Sequence, residues 1–394
     1  MPSAEPATAP RTLQTARREM EICNACRYCE GFCPVFPAMM RKRAFSDADL
    51  NYFANLCHNC KGCFYACQYA PPHPFGVNLP QTLAQLRVET YERYAWPQPL
   101  AKAFRRNGVV LSAATAAAIA IVFGLLMTLR AGALGAITTG EGAFYRVVPW
   151  AVMSGAAGAA LGFSLLAMAI GAARFWRETG GGVARGGAVA QALNAALTLR
   201  HLGGGHGGQD GCNDVDDGFS QMRRVCHHAL FYGFGLCFAS TLSAWIHDRF
   251  LHWAAPYPVA SWPVLLGLVG GIGMAAGSAG LFCVKVASDP TPNARAVLGG
   301  DYALIGLLFA VAATGLLLLG VRETGAMGWT LALHLGLILA LFLMLPYSKM
   351  VHGVYRSLAL LRFAMEGGSA PAEEVETRAS PAASVSPVRE DQTP

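Results

Sequence analysis

The sequence predicts an all-α protein in which a small helical domain is fused to a six-helix transmembrane bundle. The first observation is a pair of cysteine runs with identical spacing near the start of the 394-residue chain. The second is a series of six long apolar segments in the rest of the chain. The third is the composition, because only 14% of the residues are charged, against about 25% in a typical soluble domain. A membrane protein with a water-exposed appendage is therefore expected.

The two cysteine runs define the small domain. Each run has the spacing C-x2-C-x2-C-x3-C, the first over residues 23–33 and the second over residues 57–67. This is the spacing of bacterial two-cluster ferredoxins, in which the fourth cysteine of each run binds the other cluster. Two [4Fe-4S] clusters are therefore predicted. Their ligands are Cys23, Cys26, Cys29 and Cys67 for the first cluster, and Cys57, Cys60, Cys63 and Cys33 for the second.

Other interpretations of the cysteines fit less well. Structural zinc also uses C-x2-C pairs, but a third cysteine two residues further on suits a cube better. A disulfide framework is disfavoured, because the first residues lack the apolar core of a secretory signal. One departure from the ferredoxin pattern is that Pro34 follows the first run whereas Gln68 follows the second. The four remaining cysteines are expected to be small apolar side chains. They are Cys212, Cys226, Cys237 and Cys283.

Composition divides the chain into four parts. Residues 1–17 are rich in Ala, Pro and Thr, residues 366–394 in Ala, Ser, Pro and Glu, and both are expected to be disordered. The two-[4Fe-4S] ferredoxin-type domain is expected over residues 18–100. The transmembrane domain is expected over residues 101–365, with a long loop at 174–225.

Two helices are expected within the cluster domain. The segment from Pro37 to Phe53 mixes apolar and polar faces, and the segment from Leu79 to Tyr94 carries its large aliphatic side chains on one side. Between them, the second cysteine run is followed by a rigid turn at Pro71 and Pro72.

The six apolar segments each approach the ~20 residues that cross a bilayer. They are placed near Val109–Leu129, Val147–Ala173, Ala229–Ile246, Pro263–Val284, Tyr302–Gly320 and Trp329–Leu345. Six crossings put both termini on one side. The loops on that side contain fourteen Lys and Arg residues, and the opposite loops contain four. The positive-inside rule therefore predicts a multi-pass protein of the cytoplasmic membrane, with the cluster domain and the C-terminus in the cytoplasm.

Histidines in the membrane domain are candidate haem ligands. His334 and His352 are 18 residues apart, which is five helical turns and about 27 Å if the helix continues through Pro346. Pairing His352 with His228 near the cytoplasm, and His334 with His247 near the outer face, would give two bis-His sites for b-type haem.

The third apolar segment, Ala229–Ile246, fits this pairing imperfectly. His228 and His247 are 19 residues apart, about 100° from a common face. A bend at Gly233 or Gly235 would bring the two side chains to a common face. Without such a bend, a single haem is expected. His227 at the inner end and His252 at the outer end are alternative ligands, so the prediction is one or two haems b.

The long loop has no clear catalytic pattern. Its Gly203–Gly208 stretch lacks the strand and helix of a dinucleotide site, and its aspartates lack calcium-loop spacing. A docking surface or a cover for the cluster domain is the favoured interpretation. Nucleic acid is not an expected partner, because the net charge of +6 is scattered rather than gathered into a basic patch.

In its order of features, the chain resembles the tricarballylate/citrate utilization protein B family over roughly residues 18–365. The resemblance rests on the two cysteine runs, the segment from Cys67 to Pro80, the six spans, the Asp210–Asn213 loop and the segment that begins at Cys226. The segment from Pro346 to Gly353 also resembles the haem-bearing membrane subunits of nitrate reductase gamma and heterodisulfide reductase type.

This resemblance implies a function in electron transfer. Members of the family re-oxidise the FADH2 of a separate FAD-dependent tricarballylate dehydrogenase and pass the electrons to the membrane quinone pool. The eight cysteines would be the cluster ligands, and substrate oxidation would belong to the partner flavoprotein, since the chain has no flavin motif. No residue is therefore expected to be catalytic in the acid–base sense.

Two other functions remain open at this stage. The first is a membrane redox subunit of a heterodisulfide-reductase-like complex, although the chain lacks a further cysteine-rich catalytic motif. The second is a tricarboxylate carrier whose clusters sense redox state. Against the carrier, the six segments show no inverted repeat and no Arg or Lys placed within the membrane for carboxylates.

Overall fold

The computed structural model describes residues 11–184, 186–203 and 211–367 of the chain, and within them it is helical and has no strand. The helices are α1 (Arg11–Cys26), α2 (Val35–Met40), α3 (Asp47–Leu56), α4 (Gly62–Tyr65), α5 (Leu79–Tyr94), α6 (Gln98–Ala101), α7 (Asn107–Leu134), α8 (Ala143–Val147), α9 (Trp150–Glu178), α10 (Gly186–Leu197), α11 (Met222–Leu251), α12 (Trp262–Ala287), α13 (Arg295–Val321), α14 (Met327–Met344) and α15 (His352–Met365). Short 3₁₀ turns occupy Lys102–Arg106, Arg200–Gly203, Leu345–Tyr347 and Lys349–Val351. The all-α fold class is confirmed.

Helices α1, α3 and α5 pack together and form the core of the N-terminal domain. Met20, Tyr52 and Leu83 are fully buried between them. The helix predicted from Leu79 to Tyr94 is present with those bounds as α5. Its start is fixed by Asn78, whose side chain accepts a hydrogen bond from the Gln81 N–H.

Two predictions for this domain are wrong. Residues 11–17, expected to be disordered, form the first turns of α1, because Leu13 and Ala16 are buried in the domain core. The single helix expected from Pro37 to Phe53 is divided into α2 and α3. Ser46 adopts an extended conformation and starts a new helix as part of a capping box with Asp49. The predicted disordered tail lies outside the described residues from residue 368 onward.

Six helices are long and apolar enough to cross a membrane. They correspond to the six predicted segments and are α7, α9, α11, α12, α13 and the segment from α14 to Tyr347. Five of them extend the predicted segment at both ends, and α9 begins three residues later than predicted and ends five residues later. Helix α14 is central, because it packs against α7, α9 and α13. Helix α11 lies at the edge and packs chiefly against α12.

The helix does not continue through Pro346, so the condition for placing His334 and His352 on one helical face is not met. Helix α14 ends at Met344, and Ser348 is extended, with a ψ of 177°, before α15 begins at His352. Proline has no N–H for the helical hydrogen bond, and its ring clashes with the preceding turn. His334 and His352 therefore lie on separate helices and do not share one helical face.

The chain forms a buried charge cluster just beyond this break. The carboxylate of Asp301 on α13 lies 2.6 Å from the Lys285 ammonium and 2.7 Å from that of Lys349. The Asp301 side chain is only 4% exposed. Two cations around one buried carboxylate join α12, α13 and the linker before α15, and removing Asp301 would leave both ammonium groups without this partner.

Gly233, expected as a possible bend, is instead a packing position in a continuous α11. A β-carbon there would lie 2.5 Å from the Met274 backbone nitrogen of α12, whereas a β-carbon at Gly235 would meet nothing within 4 Å. We expect Gly233→Val to destabilise the protein by about 1–3 kcal/mol or more through overpacking. Thermal unfolding of the purified protein in detergent measures this effect. Gly235→Val is the matched control, and equal melting temperatures for the two variants would contradict the tight α11–α12 contact.

Candidate metal centres

The cysteine side chains form two groups that cross between the two runs. Burial raises the pKa of the Cys23 thiol, and the neighbouring thiols of Cys29 and Cys67 are the next largest causes. Burial also raises the pKa of Cys29, to about 12, and here the next causes are the thiols of Cys67 and Cys26. Three thiols of the first run are thus close to Cys67 of the second run. This is the set predicted for the first cluster.

The second group contains Cys33 from the first run. Burial, then the thiols of Cys60 and Cys57, raises the pKa of Cys33, and burial with these same neighbours raises the pKa of Cys63. These four cysteines also line one small cavity, together with His58 and other side chains. The structure therefore brings together the four residues predicted for the second cluster.

The two groups fit cubes better than single metal ions. Across residues 11–184, 186–203 and 211–367, no three Cys, His, Asp or Glu side chains converge tightly enough to share one ion. The thiolates of a [4Fe-4S] cube bind different iron atoms, so their sulfurs stay further apart than the ligands of one zinc ion. Backbone and side-chain donors also point at the sulfurs, with the Asn59 N–H 3.4 Å from Cys57 Sγ and the Gln68 amide 3.8 Å from Cys26 Sγ.

The long loop covers the binding segment of the second cluster. The Asn213 N–H donates a hydrogen bond to the Cys60 carbonyl oxygen at 3.0 Å. The Arg223 guanidinium donates to the carbonyl oxygens of His58 at 2.9 Å and Asn59 at 2.7 Å. The described part of the loop therefore acts as the cover that the sequence favoured, and residues 204–210 lie outside the described residues.

Cys212 is a functional candidate that sequence reasoning missed. Its thiol is buried against Cys60 and Leu202, and it donates a 3.4 Å hydrogen bond to the Leu202 carbonyl oxygen. The shielding of a ligand sulfur from solvent tunes the potential of an iron–sulfur cluster. The available signal was the run Asp210-Gly-Cys212-Asn, but nothing in its spacing connects it to Cys60.

Among the candidate haem ligands, the structure pairs His352 with His227. Their ring centres are 6.2 Å apart, and the ring planes are nearly perpendicular. A metal atom bonded at ~2 Å to one nitrogen of each ring would hold the ring centres about this far apart, because each ring adds its own radius. His352 donates a hydrogen bond from Nδ1 to the Lys349 carbonyl oxygen, which leaves Nε2 available as a ligand.

His228, the predicted partner of His352, lies elsewhere. Its ring packs against Tyr232 on the same helix, with the ring centres 5.8 Å apart. Consecutive residues on a helix point about 100° apart. Since His227 contacts α15 through His352, the side chain of His228 points away from that contact.

The outer histidines are not brought together. His334 shares a 2.9 Å hydrogen bond with Thr314 on α13. His247 donates a hydrogen bond from Nδ1 to the Ser243 carbonyl oxygen at 2.8 Å, and its ring packs against Trp253. In the part of the chain that the structure describes, no ring contact joins these two histidines. The inner pair thus fits a bis-His haem, and the outer pair does not.

The fold and the grouped thiols define a multi-pass membrane protein with a ferredoxin-like N-terminal domain. The family model for citrate utilization protein B matches residues 102–373, and the model for its Fer4-like domain matches residues 16–93. The chain belongs to the citrate utilization protein B family, which confirms the resemblance noted from its motifs. It is 44% identical to citrate utilization protein B of Escherichia coli over 349 residues, which is 89% of this chain and 91% of the relative. No solved structure matches it.

Proposed function

We propose that this chain transfers electrons from a cytoplasmic flavoprotein to the membrane quinone pool through two [4Fe-4S] clusters and one b-type haem. The flavoprotein would be an FAD-dependent tricarballylate dehydrogenase or a close equivalent, consistent with a family named for citrate utilization. The observation that carries the proposal is the proximity of the second thiol group to the imidazole pair. Arg223 lies one turn before His227 on α11 and donates hydrogen bonds to the carbonyl oxygens of His58 and Asn59 in the second cysteine run.

The chain's own residues would hold and insulate these carriers. When bound, the clusters and haem would supply one-electron steps between a two-electron flavin donor and a quinone. The eight cysteines would bind the two cubes, and Cys212 would shield the Cys60 sulfur from solvent. His227 and His352 would hold the haem. The loop over Cys60 would exclude water from the second cluster.

The charge pattern and the contacts of the loops support a cytoplasmic N-terminal domain. The loops that contact this domain include the segment Ser288–Asn293, where Asp289 accepts a hydrogen bond from Tyr65. They belong to the Lys- and Arg-rich set of loops, which the positive-inside rule assigns to the cytoplasm. Both termini would then lie on the cytoplasmic side, where a soluble flavoprotein can dock.

The test uses membranes that contain the full chain and a reduced donor flavoprotein. We expect Cys26→Ala to abolish re-oxidation of the donor flavin, because the first cluster loses a ligand. Reduced-minus-oxidised visible spectra of the purified wild-type protein should show b-haem bands. Undiminished turnover in Cys26→Ala would refute the route, and a haem-free protein that accumulates labelled citrate would support a carrier instead.

A further inference from the structure

A group of basic side chains lies where the N-terminal cluster domain contacts the membrane domain. Arg356 is one helical turn beyond His352 on α15. The pKa of its guanidinium is lowered to about 10, first by burial and then by the nearby cationic side chain of Arg87 on α5. Arg223, at the start of α11, acts in the same direction. Arg87 lies one turn before Tyr91 on α5, and the Tyr91 ring stacks on Tyr355, the residue before Arg356. Arg223 lies one turn before His227 on α11, so the three arginines come from elements that meet around the His227–His352 pair.

Two of these arginines lack partners for their charge. Arg356 makes no hydrogen bond or ion pair with any described residue. Arg87 donates from Nε to the Ala54 carbonyl oxygen at 2.9 Å, but its Nη2 is buried without a partner. The Nδ1 of His227 is also buried without a partner. Buried polar groups are nearly always hydrogen-bonded, so the unpartnered Nη2 of Arg87, near the guanidinium of Arg356, indicates a missing acceptor.

Other buried cations nearby are satisfied by the chain itself. Arg362, two turns further along α15, pairs with Asp49 at 3.1 Å and with Glu366 at 3.0 Å. Lys349 pairs with Asp301, and Arg223 donates to two backbone carbonyls. Arg362 also has a buried Nη1 without a partner, but two carboxylates balance its charge, whereas neither Arg356 nor Arg87 pairs with a carboxylate among the described residues. Leaving two half-buried guanidinium groups close together without an anion is costly.

A carboxylate is the acceptor that fits this arrangement. Guanidinium groups bind carboxylates through two parallel hydrogen bonds, and these charge-assisted bonds are stronger than neutral ones. The imidazole pair lies within one turn of Arg356, so a carboxylate carried by a porphyrin between the two rings would come close to it. A free carboxylate that entered from the cytoplasmic side would have the same chemistry.

We propose that Arg356 and Arg87 form a carboxylate-binding site beside the His227–His352 pair, with a propionate of a bound porphyrin or a free polycarboxylate as its ligand. The propionate form rests on the proposed function, and the free-carboxylate form does not. A competing explanation is that the basic side chains balance the negative charge of the second iron–sulfur cluster, whose ligand Cys57 would lie near Arg356. The experiment below separates these cases.

The test compares Arg356→Gln, Arg87→Gln and Arg356→Lys with wild type in the full-length purified protein. Arg93→Gln is the control, because Arg93 is an exposed arginine of the same helix, α5, and its charge is paired with Glu178 of α9. Haem content by the pyridine haemochrome method and the haem midpoint potential are the first readouts. Isothermal titration with citrate is the second, and the spin-resonance spectrum of the clusters is the third.

For a propionate ligand, Arg356→Gln should lower haem affinity about tenfold, the scale of a lost charge-assisted hydrogen bond. It should also lower the midpoint potential of the haem, with partial rescue in Arg356→Lys and no change in Arg93→Gln.

For a free carboxylate, the haem affinity and the haem midpoint potential stay constant, and citrate binding is lost in Arg356→Gln and in Arg87→Gln. Variants that change only the cluster spectrum, or change nothing, would overturn the site. A wild-type protein without haem would refute the haem part of the proposed function, and citrate binding alone would then decide the inference.

Discussion

Cys33→Ser should remove the second iron–sulfur cluster and leave the first one in place, although Cys33 belongs to the first cysteine run. The structure groups Cys33 with Cys57, Cys60 and Cys63 around one cavity. The reciprocal variant, Cys67→Ser, should remove only the first cluster. Iron and sulfide content should fall by about half in either variant, and electron transfer to quinone should be lost, because each cluster is required in the chain of carriers.

Double variants identify which cluster remains. Cys33→Ser combined with Cys57→Ser should lose no more iron than Cys33→Ser alone, since both changes affect the same cluster. Cys33→Ser combined with Cys23→Ser should lose all of it. Cys283→Ser, an exposed thiol on α12, is the control and should keep full iron content. The opposite pattern in the double variants would show that each run binds its own cluster.

His227→Ala should abolish b-haem binding, whereas His228→Ala should leave it nearly unchanged. These neighbours differ in side-chain direction, and only His227 contacts His352. Loss of an axial ligand from a bis-His site removes one of two protein–iron bonds, so near-complete loss of haem is expected. Haem per chain, measured on purified protein, gives the result directly.

The outer histidines provide the control for this prediction. His247→Ala should retain haem, because His247 is bonded to its own helix rather than to His334. Haem loss in His228→Ala with retention in His227→Ala would restore the pairing expected from the sequence. A content of two haems per chain would require a second site that the described histidine contacts do not form.

The parts of the fold that were predicted correctly depend on local patterns. Each spanning helix is a run of apolar residues longer than any soluble element needs, so the six spans could be recognised without knowing their neighbours. The ligand spacing of the cysteines is also local to each run. The crossing of Cys33 and Cys67 was predictable because that spacing is typical of two-cluster ferredoxins.

The errors arose where the answer depended on distant parts of the chain. Choosing between His227 and His228 requires the rotation of α11 relative to α15, which periodicity within α11 does not determine. The histidine alignment requires an unbroken helix at Pro346, and the helix is broken there. Cys212 looked like an ordinary small residue because its contact with Cys60 joins segments far apart in sequence. Residues 11–17 contain one large apolar side chain, Leu13, and its burial together with that of Ala16 was enough to order them.

The cover over the second cysteine run has a consequence for biogenesis. Arg223 and the carbonyl oxygen of Asn59 that it contacts are separated by 164 residues, with two membrane-spanning helices between them. Domains form in the order in which the ribosome makes them. The Cys57–Cys67 segment therefore emerges and folds while its lid is still unsynthesised, which leaves an open route for iron delivery. Insertion of the third spanning helix brings Arg223 to this segment, so the proposed second cluster would be loaded most directly before that step.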